Sequence, residues 1–245
     1  MLKFGSSLLK DPGDLPAVAG EIRNWTQSGA RVVAVVSAFR GETDGLLAHG
    51  RQVGGEAALA HSLAMLVALG EARVAALLSL ALGRLGVAAR AMTARDLGLI
   101  VRGAALDADP IEVRPAAILR ELARSRAVVV PGFVGCDRRG RLALLGRGGS
   151  DLTAIALASA LDANVCRLLK DVDGIYEHDP AQGSARHLER ISFEQAKRCA
   201  GRAIQSKALE YAKTHNVPFE VARPGGGRLT RVDALAPCVR LRAEL

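Results

Sequence analysis

The feature that most constrains this chain is an alternation of short apolar runs with helical stretches of roughly 10–15 residues. Arg31–Ser37 (RVVAVVS) is β-branched and reads as a buried strand. Leu2–Phe4 is a short apolar start, and Val87–Met92, Val165–Leu169 and Val217–Val221 read as later strands. Between them, Leu15–Ser28, Pro115–Arg124, Ser150–Leu161, Phe193–Cys199 and Ala203–Thr214 read as helices. Asp14 is a candidate cap for the first, and Ser150 or Asp151 for the third. The Ala/Leu-rich stretch 56–85 is expected to form two helices broken near Gly70. Ala127–Gly135 and Leu142–Leu145 are expected to pair as a hairpin around Asp137–Gly140. ARPGGGR at 222–228 is a hairpin or the start of a frayed tail. Strands alternating with helices imply parallel βαβ units, hence an α/β fold: a three-layer α/β/α sandwich around a mainly parallel sheet. No repeat or linker divides residues 1–245, so a single domain is expected.

Composition narrows the functional classes. The net charge is +8, but only 3 % of residues are aromatic, so base-stacking platforms are poorly supplied and no nucleic-acid partner is expected. No uninterrupted apolar run reaches the roughly 18 residues of a membrane span, and MLKFGSS lacks the apolar core of a signal peptide. No membrane partner is expected. Cys136, Cys166, Cys199 and Cys238 lie far apart with no CxxC pair, which argues against a zinc site and fits a cytoplasmic location. Among 33 basic residues only Lys3, Lys10, Lys170, Lys197, Lys207 and Lys213 are lysine, and two of these fall inside motif-like stretches. Lysine offers a compact point charge that the arginine fork does not reproduce.

Ligands of an open parallel sheet bind beyond the carboxyl ends of its strands. Four motif-like stretches follow strands: KFGSS, SAFRGETD, LGRGGSD and KDVDGIYEHDP. In LLGRGGSDLTA (144–154), Gly148 and Gly149 permit close backbone approach, and Ser150 and Asp151 begin a helix whose positive end favours anions. Arg147 suits bidentate contact with a carboxylate. The bland alternative is a Gly-rich turn with a capping aspartate. The spacing fits neither a dinucleotide fingerprint nor a Walker loop. Lys3 and Gly5 suit a phosphate, and Ser37 and Thr43 offer hydroxyls. Glu71 is a carboxylate in an apolar segment, either exposed or paired with a cation such as a substrate ammonium. Asp171, Asp173 and Asp179 form an acidic loop without EF-hand spacing. Tyr176 either stacks on a base or anchors that loop.

Together these stretches resemble the amino acid kinase family, most closely the catalytic domain of aspartate kinases. KFGSS is similar to the family's lysine-aromatic-Gly-Gly-Ser/Thr-Ser start. Val35–Asp44 (VVSAFRGETD) matches VVSA-x-x-G-x-T-D, and Gly70-Glu71 matches a Gly-Glu pair. Leu145–Ala154 matches LGRGGSD-x-T-A, and Asp171–Pro180 matches DVDG-[IV]-Y-x-x-DP. The resemblance implies ATP-dependent transfer of a γ-phosphoryl group to a carboxylate, aspartate first, with Mg2+ carried by ATP and no protein metal site. By position, Lys3 and Asp151 would be catalytic. Ser37, Thr43, Glu71, Arg147, Gly148, Gly149 and Ser150 would bind the acceptor, a small acid or amino acid. Gly5, Ser6, Lys170, Asp171, Tyr176, Asp179 and Arg202 would bind nucleotide. The N-terminal half would be mainly the acceptor side and the C-terminal half mainly the nucleotide side, in a homodimer.

Departures from the family pattern qualify the acceptor. Gly-Gly has become Gly5-Ser6. Ala143 and Leu144 replace two threonines, and GEARV replaces Gly-Glu-Arg-x-Ser. VRGAALDADPI lacks the Thr-Asp-x-x-Phe of aspartate kinases. Lys170 replaces a threonine or serine, and Ala181 an arginine whose charge Lys170 would supply. The alternatives are therefore the same chemistry on a different amino acid or small acid, or a non-catalytic nucleotide-binding paralogue acting with a partner enzyme. C-terminal regulatory domains are expected to be absent.

Overall fold

The computed structural model describes residues 1–178, 184–199 and 204–234. Its strands are β1 (Leu2–Phe4), β2 (Val32–Val36), β3 (Ala89–Ala91), β4 (Leu99–Ala104), β5 (Asp107–Val113), β6 (Ala127–Pro131) and β7 (Val134–Cys136). They continue with β8 (Leu142–Leu144), β9 (Arg167–Leu169), β10 (Ile175–Tyr176), β11 (His187–Leu188), β12 (Arg190–Ser192), β13 (Phe219–Ala222) and β14 (Leu229–Asp233). The α-helices are α1 (Leu15–Gln27), α2 (Glu42–Gly54), α3 (Ala60–Arg84), α4 (Ala116–Arg124), α5 (Gly149–Ala160), α6 (Phe193–Cys199) and α7 (Ser206–Thr214).

The central sheet has eight strands in the order β12-β14-β13-β9-β1-β2-β6-β3. Every neighbouring pair is parallel except β13–β14. Strand β2 explains the layering. Its five residues are all buried, and alternate side chains enter opposite cores. Val33 and Val35 join a cluster with Leu152 and Ile155 of α5 and Leu209 of α7. Val32, Ala34 and Val36 join another with Ile22 of α1 and Val74 and Leu78 of α3. The expected three-layer α/β/α sandwich is the architecture observed.

A second sheet of four strands, β5-β4-β7-β8, carries the expected β7–β8 hairpin. The expected single strand 127–135 is instead divided. Phe133 takes a left-handed φ of 69°, and the chain passes from β6 in one sheet to β7 in the other. The β4–β5 hairpin is absent from the sequence reading because Gly103, Asp109 and Pro110 break its strand pattern. Pro110 is tolerated there because β5 is an edge strand. ARPGGGR is a hairpin turn: β13 and β14 pair antiparallel across it.

Two helical expectations need correction. Helix α3 runs unbroken through Gly70. A Cβ at Gly70 would lie 3.1 Å from Leu46 Cδ1 and 3.2 Å from Glu42 Cδ, so this glycine admits close packing of α2. The segment 41–44, whose Gly/Thr/Asp composition reads in sequence as a turn, instead opens α2, whose Gly45, Gly50 and Gly54 mask the helix. α3 is also long and apolar enough to cross a membrane by composition. Here its stripe of Leu63, Val67, Val74, Leu78 and Leu82 faces the core, together with buried Glu71.

Candidate active site

Alternation along β1 places the first cation. Leu2 and Phe4 enter the α1/α3 core, so Lys3 points to the opposite face, towards the first turn of α5. Its ammonium lies 2.6 Å from Asp151 Oδ1, and both side chains are almost fully buried. Lys170, the residue after β9, places its Nζ 2.9 Å from Asp151 Oδ2. Strand β9 is the parallel neighbour of β1, so both lysines rise from adjacent strands towards one carboxylate. Burial opposes ionisation of Asp151, but the Lys3 and Lys170 ammonium groups outweigh it and hold the carboxyl below its usual range. Burial, reinforced by repulsion from Lys3, lowers the Lys170 ammonium.

Asp151 is not a cap. Helix α5 begins at Gly149, and its N-cap is Gly148 at φ 77°, with no side-chain cap bond from Ser150 or Asp151. Asp14 makes no cap bond to α1 either: its carboxylate accepts from the Lys10 and Asp11 N–H groups. A left-handed φ and tight space both require glycine at 148, where a Cβ would lie 2.3 Å from Gln205 Cβ.

A cleft of about 270 Å3 opens beside Lys3 and Asp151. Lys3, Ser6, Ser37, Thr43, Glu71, Gly148, Gly149, Ser150 and Asp151 all line it, so the acceptor loops and the start of the chain do meet. Ala38, Phe39, Gly41, Asp44 and Phe133 complete it. The Ser37 hydroxyl donates to Ser150 Oγ at 3.0 Å. Gly5 follows β1, and its carbonyl accepts from the Leu8 and Leu9 N–H groups. Glu71 is 2 % exposed, and among the described residues its Oε2 has no hydrogen-bond partner. Burial pushes its carboxyl up to about 8, against the opposing pull of the Ala38 backbone and the Lys3 charge. Glu71 is thus neither exposed nor, among the described residues, ion-paired. A ligand cation reaching it would find an acceptor atom already desolvated.

The remaining candidates lie elsewhere. Arg147 is exposed and does not line the cleft. Asp171 is exposed, and its carbonyl accepts from Arg223 Nη2 at 2.6 Å. The Tyr176 hydroxyl donates to Asp173 Oδ1 at 2.8 Å, and its ring meets His187 edge-on at 5.2 Å, which anchors the loop. None of these DVDG-loop candidates lines the cleft; Lys170, just before the loop, reaches its wall only through Asp151. Asp179 and Arg202 lie outside the described residues. Sequence reasoning missed Arg73, which pairs with Glu42 at 2.8 Å and lies over the Phe39 ring at 5.3 Å, bracing the SAFRGE segment. It also missed Lys207, whose one visible signal was being a lysine in an arginine-rich chain.

The Amino acid kinase family profile matches residues 1–222. The chain is 36 % identical to an aspartokinase of Pseudomonas aeruginosa over 94 % of this chain and 58 % of that protein. It is 38 % identical to an aspartokinase of Mycolicibacterium smegmatis over 89 % of this chain and 53 % of that protein. The chain thus spans little more than half the length of these relatives. The crystal structure of aspartate kinase from Synechocystis superposes with a TM-score of 0.82 at 31 % identity, covering 95 % of this chain and 39 % of that one. A UMP kinase from Bacillus anthracis shares the fold at a TM-score of 0.67 and 18 % identity. With a family profile spanning nearly all of its sequence and two buried lysines converging on the aspartate of its glycine loop, the chain belongs to the amino acid kinase family.

Proposed function

We propose that this chain transfers the γ-phosphoryl group of ATP, taken as its magnesium complex, to a carboxylate of a small amino acid, aspartate first. The observation that carries this reading is the Lys3–Asp151–Lys170 cluster at the wall of a cleft framed by Ser37, Thr43, Glu71 and Gly148–Ser150. A carboxylate oxygen attacks the γ-phosphorus as the bond to the β-phosphate bridging oxygen breaks, giving an acyl phosphate and ADP. An ionised carboxylate needs no base to activate it, so positioning and charge stabilisation do the catalysis. Lys3 offsets charge on the moving phosphoryl group, and Asp151 orients Lys3 and Lys170. Glu71 takes the acceptor's ammonium, and Arg147 its outer carboxylate. Gly5 and Ser6 receive phosphate oxygens. Lys170, Asp171 and Tyr176 form the nucleotide side with Asp179 and Arg202. Residues 1–245 act as one catalytic unit, in a cytoplasmic homodimer.

A second acceptor is favoured by one observation. Lys3 is the one cationic side chain lining the cleft among the described residues, and Arg73 is already held by Glu42. An amino acid lacking a second carboxylate would suit that wall. An ADP-release assay across aspartate, glutamate, homoserine and related acids tests both readings. Turnover of aspartate supports the first, and turnover of another acid with aspartate inert supports the second. Nucleotide binding without ADP release for any acceptor would leave a non-catalytic paralogue.

A further inference from the structure

Lys207 stands in the first turn of α7, the wrong end for a cation. The helix macrodipole is positive there, and α7 has neither an acidic residue in that turn nor a side-chain cap. Its ammonium looks outward from the helix instead. It donates to Asp107 Oδ1 at 2.8 Å, to the Ala108 carbonyl at 2.8 Å and to the Leu145 carbonyl at 3.0 Å, and lies 3.0 Å from Asp109 Oδ1. Four oxygens from two segments distant in sequence thus surround one nitrogen. A compact ammonium fits such a shell, whereas a planar guanidinium fork does not.

The segment held this way is the entry to the glycine loop. Leu145 is completely buried, and its N–H donates to the Phe133 carbonyl, so both its backbone groups are fixed. The next residues are squeezed from both sides. A Cβ at Gly146 would lie 2.1 Å from Asp107 Oδ1, and one at Gly148 would lie 2.3 Å from Gln205 Cβ. The loop that ends in Ser150 and Asp151 therefore runs between the start of β5 and the start of α7. Lys207 is the charge that draws those two walls together.

We propose that Lys207 is a positioning residue that fixes the Leu145–Asp151 loop, and through it the Asp151 carboxylate on which Lys3 is oriented. Its effect on turnover rests on the kinase reading above, but its effect on the loop does not.

The test compares Lys207→Met with Lys213→Met in the full chain. Lys213 lies on the same helix and loses an exposed ion pair with Glu194, but does not touch the loop. The Lys207→Met protein is expected to exchange the backbone amides of residues 146–151 at least tenfold faster than wild type, and to turn over at least tenfold more slowly. Lys213→Met should leave both unchanged. Unaltered exchange in Lys207→Met, or an equal change in Lys213→Met, overturns the proposal. Should Lys207→Met fail to fold, the double variant Asp107→Asn/Asp109→Asn removes the charges and keeps the shape, with the same faster exchange expected. A wild-type protein that turns over no acceptor, yet whose loop responds to Lys207→Met, overturns the kinase reading and leaves the positioning role supported.

Discussion

Lys170 holds the one oxygen of Asp151 that Lys3 leaves open, 2.9 Å from Oδ2, while Lys3 takes Oδ1 at 2.6 Å. The two ammonium groups come from neighbouring parallel strands, and the carboxylate comes from the helix above them. A buried carboxylate shared by two lysines stays ionised, leaving positive charge at the cleft wall where a transferring phosphoryl group would need it.

Replacing Lys3 with alanine should therefore act on rate more than on folding. Turnover is expected to fall about 10²–10³-fold. The melting temperature should move little, because Asp151 keeps Lys170. Steady-state kinetics beside a thermal melt checks this, and a kinetically silent Lys3→Ala would remove Lys3 from the chemistry.

Asp151→Asn removes the shared anion and leaves two desolvated ammonium groups facing one another. A stability loss of about 3–5 kcal/mol is expected, with turnover greatly reduced. The native Asp151 pKa lies below its unfolded value. Its stabilisation is therefore complete above the unfolded value and is lost as pH falls through the native one. Denaturant titrations from neutral pH down to pH 3 should show a steeper acid limb in wild type than in the variant, where only the other carboxylates with lowered pKa contribute.

Glu71 has the opposite sign. Its pKa is raised to about 8, so between the unfolded value and 8 the folded state holds a proton that the unfolded state has released. Stability from this group falls as pH rises through that window, by about 1.4 kcal/mol per pH unit. Glu71→Gln should flatten the curve there. An ammonium-bearing acceptor should also expel this proton on binding at pH 7, seen calorimetrically as a buffer-dependent heat. Binding without proton release would separate Glu71 from the acceptor.

Gly148→Ala introduces a Cβ at left-handed φ and against Gln205 Cβ. The conformational cost is about 1–2 kcal/mol before the clash is counted. Because Gly148 lines the cleft, acceptor KM should rise along with the loss of stability. An unchanged melting temperature would overturn the strain assigned to this position.

Much of the fold was legible because strand periodicity and apolar runs are local properties. The β2 run, the β7–β8 hairpin and α5 all follow from short stretches of chain, whereas ARPGGGR reads equally as a hairpin or a frayed tail until β14 pairs with β13. Helix α2 was not legible: its glycines argue locally against a helix, and packing against α3 overrides them. Gly70 misled for the same reason, since a glycine that admits a neighbouring helix looks in sequence like one that ends its own.

The site divides in a similar way. The order of residues along the chain determined which chemical groups are available: a lysine in the first strand, a serine and a threonine after β2, a glycine loop ending in Ser150-Asp151, and an acidic loop after β9. Tertiary structure decided how they are used. It turned Asp151 from a candidate helix cap into the counter-ion of two lysines, buried Glu71 with its Oε2 unpartnered among the described residues, and left Arg147 and Asp171 in solvent. It also brought Lys207 to the glycine loop. Helix and strand patterns depend on neighbours a few residues apart, whereas burial and ion pairing depend on which distant segments pack together, and that is set only when the sheet is assembled.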